Sequence, residues 1–116
     1  MMRRGEIWQV DFAPARDAEA NKRRPAVIVS NDRANATATR LGRGVVTVVP
    51  VTSNITKIYP FQVLLPAATT GLAVDSKAQA EQIRSIAIQR LRRRIGRISP
   101  AEVAQLEDAL RLHLDL

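Results

Sequence analysis

Lys22-Arg23-Arg24-Pro25-Ala26-Val27-Ile28-Val29-Ser30 sets three cations directly against a proline and an apolar, β-branched run. Val27, Ile28 and Val29 are stiff at χ1 and suit a pleated surface, so Ala26–Ser30 is expected to be a buried strand. Pro25 fits the first residue of such a strand, where a missing N–H costs little. It also biases Arg24 toward extended backbone. Arg24 is therefore expected at a strand mouth, on rigid backbone, with its guanidinium free to meet a phosphate. A basic triplet alone reads as well as a solvated loop, so the rest of the chain decides its meaning.

Upstream, Trp8, Val10 and Phe12 alternate with Ile7, Gln9 and Asp11, the period of a strand over Gly5–Phe12. Ala13–Lys22 is then a long polar hairpin loop. Downstream, Asn31-Asp32 offers a turn or a helix cap. Arg33–Leu41 is a short helix or an irregular connection, ended by Gly42 and Gly44. Val45–Val51 is apolar on both faces, which predicts a central strand. It leads into Thr52-Ser53-Asn54 and a loop through Lys57. Phe61–Leu65 reads as a further strand, and Pro66 and Gly71 bound a loop. Two short strands are expected near 73–78 and 80–87. Arg90–Arg94 reads as a short helix or turn, and Ile95–Ile98 as a short final strand. Ser99-Pro100-Ala101-Glu102 has a capping-box pattern with proline at the first helical position. Val103, Leu106, Leu110 and Leu114 then follow on one helical face. One mainly β domain over residues 1–116 is expected: a small, strongly bent sheet or barrel with a short internal helix and a closing C-terminal helix.

The 116 residues suffice for one core but not two. Without cysteine there is no disulfide framework, thiolate metal site or thiol nucleophile, which fits a cytoplasmic protein. The N-terminal arginines precede no apolar h-region. No apolar run approaches the ~18 residues that span a membrane, so no membrane role is expected. The net charge of +7 is uneven. Residues 1–97 carry 17 basic against 7 acidic side chains, a net +10, and residues 98–116 carry −3. Such a body invites a polyanion. Of the 18 cations 15 are arginine, the side chain suited to bidentate phosphate contact. Four aromatic residues are too few for an extended stacking platform.

Metal or cofactor chemistry finds little support. His113 is the single histidine and sits where a cation suits a helix C-terminus. Asp and Glu are scattered, and no phosphate-binding glycine loop occurs. Arginine plus hydroxyl remains. Arg24 opens the second strand and Thr52 closes the third, so antiparallel pairing would bring them to one sheet edge, with Glu19 in the adjoining loop. Arginine can neutralise equatorial phosphoryl oxygens and a hydroxyl can donate to them. RNA supplies its own nucleophile, the 2′-OH. By spacing alone this signal is weak, and Thr52 reads first as a strand-end cap and Glu19 as a solvated loop residue.

Arg4-Gly5-Glu6-Ile7-Trp8, Asp11-Phe12, Pro14, Glu19, Arg24-Pro25-Ala26-Val27, Val51-Thr52-Ser53 and Gln82-Ile83-Arg84-Ser85-Ile86, in this order, resemble the MazF/PemK toxins of bacterial toxin–antitoxin modules, most closely their mycobacterial branch. The resemblance covers essentially the whole chain. It implies an SH3-like β-barrel homodimer and a metal-independent, sequence-specific endoribonuclease leaving 2′,3′-cyclic phosphate and 5′-hydroxyl ends. It implies an active pair at Arg24 and Thr52 and inhibition by a cognate MazE-like antitoxin. Loops 13–23 and 53–60 would flank single-stranded RNA, with Asn21, Lys22, Arg23, Ser53, Asn54, Lys57, Gln79, Gln82 and Arg84 as candidate contacts. Where many members carry Gly-Ser before the glutamate, this chain has Asp17-Ala18.

Two other readings compete. A gyrase-poisoning toxin of the CcdB type shares the expected fold but depends on an aromatic-containing C-terminus, whereas this chain ends His113-Leu114-Asp115-Leu116. A non-catalytic nucleic-acid-binding module would use Arg90, Arg92, Arg93 and Arg94. In the ribonuclease reading those four form a phosphate-attracting surface or a dimer-edge cap outside catalysis.

Overall fold

The structure, a computed structural model, describes residues 1–12 and 23–116. Among these residues are seven strands: β1 (Glu6–Asp11), β2 (Arg23–Ile28), β3 (Val45–Thr52), β4 (Gln62–Leu65), β5 (Ser76–Gln79), β6 (Arg84–Ala87) and β7 (Leu91–Arg97). Three helices accompany them: α1 (Asp32–Leu41), α2 (Ala67–Thr70) and α3 (Pro100–Leu114). All strand pairs are antiparallel, in the order β4-β5-β3-β2-β1-β7, with β6 on the first half of β3.

Strand alternation sorts the apolar residues into two layers. Val10, Phe12, Ala26, Ile28, Val46, Val48 and Ile86 form one cluster, the interior of a bent β1-β2-β3-β6-β7 unit. Ile7, Val27, Val49, Val51, Val63, Leu65 and Ala78 point the other way, where Leu106 and Ala109 of α3 cover them. β3 supplies both clusters, as its double-sided apolar pattern predicts. The mainly β class with an internal and a closing helix is the one expected, although the ladders leave the barrel open between β4 and β7.

The two strand prolines are placed by the ladders. Val29 N donates to Thr47 O, so the odd-numbered amides of β2 face β3. Pro25 therefore lacks a donor just before that ladder begins at Ala26–Pro50. This lets β2 start at Arg23, earlier than the expected Ala26. Pro50 faces the opposite side, in the gap where β3 leaves β6 after Val48 and meets β5 at Val51. A missing N–H costs least at such a break.

Helix ends follow the local signals. Asn31 caps α1, its side chain accepting from Ala34 N at 2.8 Å. Ser99 and Glu102 form the capping box of α3. Leu106 is buried, but Leu114 is exposed and Ala109 fills the inward position instead. The helix outruns the sheet, so its last expected apolar contact has no surface to meet. Pro66 and Gly71 bound the short helix α2 where a loop was expected.

The largest departure is at Arg90–Arg94. A 3₁₀ turn occupies Ile88–Arg90, and Leu91–Arg97 is one continuous strand on β1. Cross-strand ion pairs explain why an arginine-rich run is extended: Arg92 meets Asp11 at 3.1 Å and Arg94 meets Glu6 at 3.1 Å. The far end of β7 packs backbone to backbone on the turn after α2. A Cβ at Gly96 would lie 1.8 Å from Thr70 O, so only glycine fits. Gly96→Ala is expected to cost about 1–3 kcal/mol or more by overpacking, read as a lower urea midpoint with an unchanged m-value.

Candidate active site

Arg24 and Thr52 belong to strands that are already paired. The β2–β3 register sets Ala26 against Pro50; continued two residues, it sets Arg24 opposite Thr52. Both line one open cleft of about 240 Å³, together with Pro25, Val51, Ser53 and the 72–74 segment. Val51 and Ala78 point into the α3-covered core, so their neighbours Thr52 and Lys77, themselves register partners, emerge on the other face. Gln79 shares that face, as the next alternate residue of β5.

Each group is held by a neutral partner among the described residues. Arg24 Nη2 donates to Gln79 Oε1 at 2.9 Å, across β3. Thr52 Oγ1 accepts from Asn54 N at 3.2 Å, which folds the chain back as it leaves β3. A hydroxyl that accepts here keeps its own hydrogen for a substrate oxygen. Asn54 Oδ1 in turn accepts from Thr56 N at 3.2 Å. The following segment ends in stacked rings, Tyr59 on Phe61 with centroids 5.4 Å apart. Gln62 ties it to the sheet, accepting from Tyr59 N at 3.1 Å and donating to Glu81 Oε2 at 2.8 Å.

Of the other expected contacts, Ser53, Asn54 and Lys57 lie exposed on this segment. Arg23 is exposed at the start of β2, opposite Asp11. Arg84 stacks its guanidinium 5.2 Å from the Phe12 ring centroid, at the rim of the inner cluster. Gln82 lies in the 3₁₀ turn Ala80–Gln82, outside the cleft lining. Glu19, Asn21 and Lys22 lie outside the described residues. Arg90 donates to Asp11 O, and with Arg92 and Arg94 ion-paired the basic run of β7 is largely engaged with β1. Gln79, an expected RNA contact, is joined to Arg24 here, and Lys77, which is not among the expected residues, lies two positions before it on β5. The alternation Lys77-Ala78-Gln79, with alanine inward, was the available signal.

A sequence profile of the PemK-like, MazF-like toxin of type II toxin–antitoxin systems matches residues 3–114. The chain belongs to this family. Endoribonuclease MazF9 of Mycobacterium tuberculosis (strain ATCC 25618 / H37Rv) is 79% identical over 116 residues, covering 100% of this chain and 98% of that protein. The probable endoribonuclease MazF of Mycolicibacterium smegmatis is 32% identical over 116 residues, covering 99% and 98%. Among solved structures, MazE-MazF (Form-II) from Deinococcus radiodurans matches with a TM-score of 0.78 at 26% identity, covering 99% of this chain and 96% of that one. The MazF/PemK resemblance and its mycobacterial leaning therefore hold, and the CcdB-type alternative is not favoured.

Within this MazF-like frame Gln79 fixes where the Arg24 guanidinium points. Gln79→Leu is expected to lower turnover on RNA about tenfold with little change in RNA affinity, since one charge-assisted hydrogen bond is lost. Single-turnover cleavage measured beside equilibrium binding checks this. Equal losses in both would make Gln79 an RNA contact.

Proposed function

We propose that this MazF-family endoribonuclease cuts single-stranded RNA, messenger RNA included, at the Arg24–Thr52 cleft, sequence-specifically and without a metal. The observation that carries the reading is the register that brings Arg24 and Thr52 to one cleft from neighbouring strands. The substrate's 2′-oxygen bonds to phosphorus as the bond from phosphorus to the 5′-oxygen breaks. The 2′-OH loses its proton and the departing 5′-oxygen gains one, leaving a 2′,3′-cyclic phosphate and a 5′-hydroxyl. Arg24 neutralises the charge that builds on the equatorial oxygens, and Thr52 donates its free hydroxyl hydrogen to them. DNA lacks the attacking hydroxyl and resists cleavage.

Ser53, Asn54, Lys57, Gln82 and Arg84, with Asn21, Lys22 and Arg23, supply the flanking contacts in this reading, and Glu19 stands with Arg24 and Thr52 as the third catalytic candidate. The surplus of positive charge in residues 1–97 favours inhibition by an acidic antitoxin segment over the same groove. The pairing of MazE with MazF in the Deinococcus radiodurans structure supports such a partner. Family membership supports a homodimer acting in the cytoplasm; no helix among the described residues is long and apolar enough to cross a membrane.

Purified protein is expected to cleave a long RNA in excess EDTA, with 5′ ends that accept phosphate from a kinase without prior dephosphorylation. Cleavage abolished by EDTA, or 5′-phosphate ends, would overturn the mechanism. Arg24→Ala and Arg24→Lys should each lose on the order of 10²-fold or more in the chemical step, since lysine cannot reproduce the planar fork. Thr52→Val should lower turnover while RNA affinity is largely kept. A fully active Arg24→Ala protein would remove Arg24 from the site.

A further inference from the structure

Lys77 stands directly opposite Thr52 on β5, one strand away from the Arg24–Thr52 pair. The residue is only 7% exposed. Its stem is buried, as lysine stems are when the head must stay polar. Nζ donates to Lys57 O and lies 5.9 Å from the Tyr59 ring centroid. Lys57 Nζ lies 4.8 Å from the same centroid. Two ammonium groups thus converge on one ring.

Among the described residues no carboxylate lies within ion-pair distance of Lys77 or Lys57. Among the described residues this ammonium has one acceptor, the Lys57 carbonyl, and a buried ammonium without a counter-ion is costly. By contrast, Arg4, Arg92, Arg94 and Arg111 each meet a carboxylate. What sets Lys77 apart is burial: it is 7% exposed, with a carbonyl and an aromatic ring as its described neighbours. Neighbouring strands are about 4.8 Å apart, so Lys77 starts one strand from Thr52 on backbone fixed by the β3–β5 ladder. A phosphate at Arg24 and Thr52 would place its neighbour within reach of Lys77.

We infer that Lys77, with Lys57 beside it, forms a subsite for the backbone phosphate adjoining the scissile one. The inference rests on RNA cleavage at Arg24 and Thr52. It adds a cation that binds a second phosphate and so sets where the strand lies across β5.

The test uses an RNA oligonucleotide spanning a mapped cut site, made uncleavable by a single 2′-deoxy nucleotide. A neutral methylphosphonate replaces one adjoining phosphate at a time. Wild-type protein is expected to lose about tenfold in affinity for one of the two replacements. Lys77→Gln should bind the unmodified strand about tenfold more weakly, show no further loss with that replacement, and flatten the log–log salt dependence by about 0.7. Lys77→Arg should retain the salt slope and the penalty. A merely structural lysine, pinning Lys57 O, would change neither signature. A Lys77→Gln protein with wild-type salt slope and wild-type penalty overturns the proposal. So does normal RNA binding with lost binding of an acidic antitoxin peptide. Should Lys77→Gln not fold, a wild-type protein indifferent to both replacements overturns it equally. Arg24-dependent cleavage with no adjoining-phosphate penalty removes this subsite alone, whereas a fully active Arg24→Ala protein removes the parent reading.

Discussion

Strand β3 must serve three partners, and the fold depends on how it does so. Along one edge it pairs with β2. Along the other it holds β6 over Val45–Val48 and β5 over Val51–Thr52. The changeover costs two unpaired residues, and Pro50, which has no hydrogen to lose, occupies one of them. The bent unit around Val46 and Val48 lies before this break, and the β4–β5 extension around Val51 lies after it. The continued register then brings Arg24 of β2 opposite Thr52, and the β5 ladder sets Lys77 opposite the same threonine. A uniform partner along β3 would leave no place for β5 and its outward Lys77 and Gln79 beside this end of the sheet.

Charge is arranged in the same two-part manner. On the β1–β7 edge, Glu6 and Asp11 answer Arg94 and Arg92. Such half-exposed pairs contribute little stability each. Their consequence here is that the basic run of β7 is partly neutralised. At Arg24 and Lys77 the described partners are an amide, a carbonyl and an aromatic ring. A neutral acceptor can orient a cation without cancelling its charge. Preorganised charge of this kind favours a developing oxyanion, because little reorganisation is needed as the anion forms.

Much of this was legible in the sequence, for reasons that differ by element. β1 and β3 were written in side-chain alternation, and α3 in its capping box, so local pattern sufficed. The strand Leu91–Arg97 was hidden because its arginines find their partners on β1, some eighty residues away, and four cations in five positions look solvated when read alone. Leu114 obeyed the helical period yet lay past the sheet edge, which no period can reveal. Gly96 carries no local signal at all, since its requirement comes from the Thr70 carbonyl. For the site, Arg24 and Thr52 were each recognisable at a strand end, but their opposition needed the register. Gln79 and Lys77 were obscured by the brevity of β5, whose four residues barely establish a period.

The register also constrains the residues on this face to respond as a unit. Arg24, Thr52 and Lys77 project from three successive strands, and two of them share a ladder pair. Displacing any one requires a shift of strands whose reverse faces hold Val27, Val49, Val51 and Ala78 in the core beneath α3. Close-packed interiors resist such shifts. The backbone spacing across the site is thereby fixed by packing on the far side of the sheet, while Gln79 and the Lys57 carbonyl set only the side-chain directions. Arg24, Thr52 and Lys77 thus have two kinds of support: one buried and shared with the fold, the other a few polar side-chain contacts.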